Sequence, residues 1–259
     1  MPLLLQSFLL ILCIMTGVWI VSLFRRDAGI IDPCWGMGFL IVAGFAAWQS
    51  ANPLLPRGVL ILILTAIWGL RLSVHLLVRN WGHPEDRRYR AMRDHHGPRF
   101  WWVSLLTVFW LQAVILWIVS LPVQMTILSI EVRPLNWVDA AGILLWSVGL
   151  YFEAVGDFQL TRFQANPANA GRVMNRGLWR YTRHPNYFGD FCVWWGLFLI
   201  SVNAGAVWTV FAPLLMSFLL LMVSGVTLLE KSISSRRPEY AEYQRQTNAF
   251  FPGPPRFTS

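Results

Sequence analysis

Seven runs of apolar residues separated by short polar stretches organise the chain. They lie near Leu3–Phe24, Cys34–Ser50, Gly58–Val78, Trp101–Leu121, Asn136–Asp157, Tyr187–Val202 and Ala206–Leu229. Several approach or exceed the roughly 20 residues a helix needs to cross a bilayer. In lipid the backbone must satisfy its own hydrogen bonds, which a helix does within one segment. The pattern predicts an all-α polytopic membrane protein with seven transmembrane helices, folded as a single integral membrane domain over residues 1–259. The first run ends in Ser22-Leu-Phe-Arg-Arg26 without a small-x-small cleavage site, so it is read as a retained helix.

Charge then orients the spans. Of the 21 Lys and Arg, 18 follow the first, third, fifth and seventh runs; Arg57 and Arg133 fall in the opposite loops and Arg71 within the third run. Basic residues accumulate on the cytoplasmic side. The N-terminus is therefore expected outside and the C-terminus in the cytoplasm, in a bacterial inner membrane or the endoplasmic reticulum. Only an odd number of spans fits this alternation. Because the arginines lie between apolar runs, topology accounts for them and nucleic acid is not an expected partner. Composition agrees, with 56% hydrophobic and 13% charged residues, against about a quarter charged in soluble domains. Cys13, Cys34 and Cys192 are embedded in apolar runs and read as small core residues, with no metal site expected.

The two long segments on the basic side, Arg79–Arg99 and Gln159–Asn186, are where chemistry is expected. The second ends in Arg180-Tyr-Thr-Arg-His-Pro-Asn-Tyr-Phe-Gly-Asp190. Pro185 suits the first turn of the following helix, whose start leaves N–H groups for an anion. An interfacial belt of Arg and Tyr is one reading; the density of hydrogen-bonding groups favours a ligand site. Glu153 and Asp157 are four apart and share one helical face, beside Asp190 a turn into the next run. They partner arginines such as Arg162 and Arg183, or they accept from ligand hydroxyls. Guanidinium forks match phosphate oxygens and carboxylates match sugar hydroxyls, so the set suits a sugar-phosphate ligand. No GxGxxG after a strand and no GxxxxGK[ST] occurs. His83, His95 and His96 lack metal-ligand spacing, and Glu85-Asp-Arg-Arg-Tyr-Arg90 reads as an amphipathic segment on the headgroups.

Glu153-x-x-x-Asp157, Gly177-Leu-Trp-Arg-Tyr-Thr-Arg-His-Pro-Asn-Tyr-Phe-Gly-Asp190, Trp194-Trp195-Gly196 and the late Leu229-Glu230 … Arg237-Pro-Glu-Tyr-Ala-Glu-Tyr243 … Phe250-Phe-Pro252 together resemble the steroid 5-alpha-reductase-like family. The resemblance is to a branch that shares the reductase C-terminal domain; it is strong from Trp101 to Pro252 and loose before that. The RHPxY core is also similar to isoprenylcysteine carboxyl methyltransferases. The resemblance implies NADPH in a cytoplasm-facing cavity of residues 101–252, substrate-side helices in residues 1–100, and a tail from 253 to 259.

It places Asp157, Arg172, Asn186 and Asp190 at the cofactor, with Glu153 where the reductases have asparagine. Arg162, Arg180, Tyr181, Arg183, His184 and Tyr187 complete the implied cradle. Arg236, Arg237 and Tyr240 stand in for a C-terminal histidine, and Gln164 replaces a basic residue. Asp32 falls near the acid that polarises the substrate carbonyl, Trp68 where the reductases have a tyrosine, and His75 two turns on. The implied function is NADPH-dependent reduction of a carbon–carbon double bond in a lipophilic enone drawn from the bilayer, with membrane lipids as its surroundings. The alternatives are an S-adenosylmethionine-dependent methyltransferase and a non-enzymatic lipid-binding protein.

Overall fold

A computed structural model describes residues 2–50, 53–223, 230 and 239–256; among these the regular structure is entirely helical. Among the described residues five helical segments are long and apolar enough to cross a membrane: Leu3–Arg25, Ala28–Trp48, Pro56–Asn80, Arg87–Val119 and Trp137–Gln164. That is the make-up of a multi-pass membrane protein. The sixth expected span is an 18-residue helix, Pro185–Val202, with a polar first turn, and the seventh is described only over Val207–Val223. Contacts divide the chain into two compact units, residues 1–135 with 204–209, and residues 136–203 with 210–259.

The first unit is built from α1 (Leu3–Arg25), α2 (Cys34–Trp48), α3 (Pro56–Asn80), α4 (Arg87–His96), α5 (Phe100–Ser104), α6 (Leu111–Val119) and α7 (Leu121–Ile127). α1 stops at Arg26, whose φ of 52° turns the chain out of the helix. Asp27 then caps a short 3-10 turn, Ala28–Ile31, by accepting from Gly29 N–H at 2.8 Å. α2 and α3 touch backbone to backbone: a Cβ on Gly36 would strike the Gly69 carbonyl oxygen, and one on Gly69 would lie 2.6 Å from the Gly36 oxygen. Lipid tails are as apolar as leucine, so helices in a bilayer associate by such close packing and by interhelical hydrogen bonds. Here the Ser73 hydroxyl supplies one, accepting the Met37 N–H at 2.8 Å from the first turn of α2.

Two features depart from the expected spans. A π-helical turn, Leu105–Trp110, interrupts the fourth run. Residues expected in a loop after Leu121 form α7 instead, because Val123, Thr126 and Ile127 are buried and Gln124 is held by Ser7 and Ser120 at 2.7 and 2.8 Å.

The second unit opens with α8 (Trp137–Gln164), whose start is closed by a capping box: Asn136 accepts from Val138 N–H and Asp139 from Asn136 N–H. α8 runs two turns beyond the expected end at Asp157. α9 (Pro185–Val202) begins at Pro185, as its missing N–H predicts. The two helices pack through glycines. A Cβ on Gly149 would lie 2.5 Å from the Gly189 carbonyl, and one on Gly196 would lie 2.7 Å from that of Gly142. Asn203, at the end of α9, donates to Asn136 and Asp139 at the start of α8, so the pair is antiparallel. α10 (Phe211–Phe218) and a C-terminal helix, Tyr240–Gln246, complete the described part.

Candidate functional site

Two polar clusters stand out, one in each unit. In the first, Asp32 lies between the 3-10 turn and α2, with its side chain only 11% exposed. It does not cap α2. Its carboxylate accepts the Tyr89 phenol at 2.7 Å and the Arg88 Nη2 at 3.2 Å. The Gln112 amide donates to the Tyr89 oxygen at 3.4 Å and in turn accepts the Trp35 indole N–H. Asp32, Tyr89, Gln112 and Trp35 thus form one chain of hydrogen bonds across four segments.

α4 is fixed in place by acids at its start. Asp86 caps it through the Arg88 N–H at 2.8 Å. Glu85 accepts both the Ala28 N–H and the fork of Arg93, at 2.8, 2.7 and 3.0 Å. Burial alone would raise the Glu85 carboxyl, but the Arg93 fork and the Ala28 N–H outweigh it and hold it below its ordinary value. Trp68, the residue in the expected tyrosine position, is buried and packs edge-on against Phe39. His75 is half-buried on α3. The phenol beside the acid is Tyr89, from α4. A lone aromatic inside a run of charges was the only sequence signal for it.

In the second unit, Glu153 and Asp157 are both buried, one turn apart on the face of α8 that meets α9. Glu153 lies against Gly189, where an added Cβ would be 2.8 Å from its Cγ. Asp157 accepts the Asn186 amide at 3.3 Å. Trp179, in the 3-10 turn Gly177–Arg180, donates its indole N–H to the Gly156 carbonyl at 3.0 Å and so ties the loop to α8 beside Asp157. Asp190 sits a turn further along α9, half-buried.

Arg183 and His184 converge on Glu230. Arg183 donates through Nε and Nη2 at 2.6 and 3.1 Å, His184 Nε2 approaches at 3.1 Å, and Gln244 donates at 2.9 Å. The remaining Arg183 nitrogen bonds the Gln244 and Thr247 carbonyls. Burial alone would raise the Glu230 carboxyl, but His184 and Arg183 outweigh it and bring it down to about 2. The His184 ring stacks on Tyr187 at 5.4 Å. Thr182 donates to the Phe250 carbonyl, Gly253 N–H to that of Tyr181, and Tyr243 to that of Trp179. The Arg-His-Pro segment is therefore the dock for the C-terminal strand of chain.

Tyr240 is buried beside Tyr243, and its phenol is raised, first by burial and then by Glu230. Arg162, Arg172, Arg180 and Tyr181 are exposed. Arg237 lies outside the described residues, as do Lys231 and Arg236.

The fold and these clusters define a helical membrane protein with two acid–arginine centres. The chain belongs to the family described as "Protein of unknown function (DUF1295)", whose model matches residues 18–247. It is similar to the "Uncharacterized protein C594.04c" of Schizosaccharomyces pombe, with 22% identity over 261 residues, covering 91% of this chain and 75% of that protein. No solved structure matches it.

Proposed function

We propose that the protein is an NADPH-dependent reductase of the steroid 5-alpha-reductase-like kind, acting on the carbon–carbon double bond of a lipophilic enone. The proposal includes seven spans, with the N-terminus outside and the chemistry on the cytoplasmic side. One observation carries it: a nearly buried carboxyl, Asp32, bonded to a phenol, Tyr89, at 2.7 Å.

Reducing an enone places negative charge on its carbonyl oxygen, so the site must offer a hydrogen-bond donor that is shielded from water. The phenol hydrogen bridging to Asp32 is that donor. A proton arriving on Asp32 turns the bond round: the carboxyl donates to the phenol oxygen, and the phenol hydrogen is released for a carbonyl. Gln112 and Trp35 fix the phenol oxygen, and Arg88 steadies the carboxylate while it is charged.

NADPH, when bound, supplies the hydride. The second unit fits such a group. Asp157 and Asn186 pair an acceptor with an amide, suited to ribose hydroxyls. Arg162 is exposed and, among the described residues, its side chain carries no hydrogen bond, so its fork is open to phosphate. Arg183 and His184 hold Glu230 and act on the cradle by positioning it.

The test is NADPH binding to the full-length protein in mild detergent, with S-adenosylmethionine as the competing cofactor. Asp157→Ala and Asn186→Ala are each expected to weaken NADPH roughly tenfold, the scale of one lost charge-assisted bond. Asp32→Ala is expected to leave binding intact. Binding of S-adenosylmethionine in place of NADPH, or of neither, sinks the reading.

A further inference from the structure

A cleft of about 250 Å³ opens in the second unit, apart from the Asp157–Asn186 pair, where the 3-10 turn meets the C-terminal segment. Arg180 and Arg256 both line it, with Asn175, Gln246, Thr247 and Tyr243 completing most of the wall. Among the described residues the lining carries two guanidinium charges and no carboxylate. The acid nearest in sequence, Glu242, is engaged by Arg245 and by the Gln246 amide.

The site is also held in shape. Arg256 N–H donates to the Gln246 carbonyl at 2.8 Å and Arg256 Nη2 to Asn248 at 3.3 Å, so the chain after Pro252 is pinned across the C-terminal helix. Tyr243 donates to the Trp179 carbonyl, which holds the residue before Arg180.

We propose that this cleft binds a phosphoryl group. Two arginine forks, an amide and a hydroxyl offer more donors than the two oxygens of a carboxylate can take, whereas a phosphomonoester presents three. Size points the same way. A dinucleotide or drug-sized ligand occupies roughly 300–1,000 Å³. This cleft has the room of about eight waters, enough for a phosphoryl group and the first atoms of what it is attached to. A nucleotide phosphate and an anionic lipid headgroup share that chemistry. Tyr181 and Phe251, 45% and 60% exposed, flank the segment and suit a headgroup depth. The inference needs no hydride chemistry and stands apart from the reductase reading.

The full-length protein in neutral detergent is tested with two probes. One is adenosine 2′,5′-bisphosphate, by calorimetry; the other is dioleoyl phosphatidic acid against dioleoylglycerol, by native mass spectrometry. At least one phosphoryl probe is expected to bind. Arg180→Gln and Arg256→Gln should each weaken it about tenfold, and the double variant about a hundredfold, while Arg180→Lys recovers part of the loss. Both residues are exposed, so the melting temperature should hold and serves as the folding control. Preference for the bisphosphate identifies a nucleotide source; preference for phosphatidic acid over diacylglycerol identifies a lipid. Binding of neither probe, or equal binding by wild type and the double variant, overturns the proposal. Asp157→Ala leaves this binding unchanged, so its failure and that of the NADPH reading are read separately.

Discussion

Asp32 and Glu230 are both carboxylates paired with arginine beside a tyrosine, yet their surroundings differ in kind. A carboxylate has about four acceptor positions. Glu230 has four donors on it, from Arg183 twice, His184 and Gln244, and its arginine is 10% exposed. Asp32 takes two donors among the described residues, and its arginine is 58% exposed. A saturated acid with a shielded partner is a fastening. An acid with open lone pairs beside a phenol can exchange a proton.

The contrast is tested most strongly by removing Glu230. Glu230→Ala strands the Arg183 guanidinium in a nearly buried position, and breaking such a pair costs roughly 3–5 kcal/mol. Asp32→Ala strands a phenol beside an exposed arginine and should cost about 1–2 kcal/mol. Thermal unfolding in detergent measures both, and equal losses would erase the distinction.

Acid titration of the same fastening comes next. A carboxylate lowered by folding stabilises the protein above its unfolded value near 4.5 and loses that contribution as pH falls towards about 2. The melting-temperature gap between wild type and Glu230→Gln should be full at neutral pH and close across that window; a gap that widens in acid has the wrong sign.

Turnover separates the two acids in the other direction. Under the reductase reading, Asp32→Asn should lower the rate about a hundredfold and Tyr89→Phe about tenfold or more, with NADPH affinity unchanged. Glu230→Gln should leave the rate of the folded fraction within a few-fold. The smallest effect belongs to Arg88→Ala, at most about 1 kcal/mol of stability, because its side chain is mostly in solvent.

Much of the helical layout was legible because apolar runs of membrane length leave the backbone little choice. Pro185 announced the start of α9, and the spacing of Glu153 and Asp157 announced their shared face. What stayed hidden depends on distance along the chain. Tyr89 read as part of a solvated, charged segment, and only the fold turns it onto Asp32, 57 residues earlier. Glu230 gave no local hint of Arg183, 47 residues before it. Pro122–Ile127 read as the start of the connection after the fourth run, whereas proline is tolerated in a first helical turn. A periodic signal went unused: Gly142, Gly149 and Gly156 recur every seven residues, two helical turns apart, and so mark one face of α8.

That glycine seam also sets how the unit can respond to what it binds. Where peptide rests on peptide there is little side chain to re-pack, so α8 and α9 have only a thin soft layer through which to slide. Asp157 on one and Asn186 on the other are set facing each other by that seam. Adaptation to cargo is left to the loops that cross the seam, and even a single methyl placed in it would act as a wedge driven between two planks.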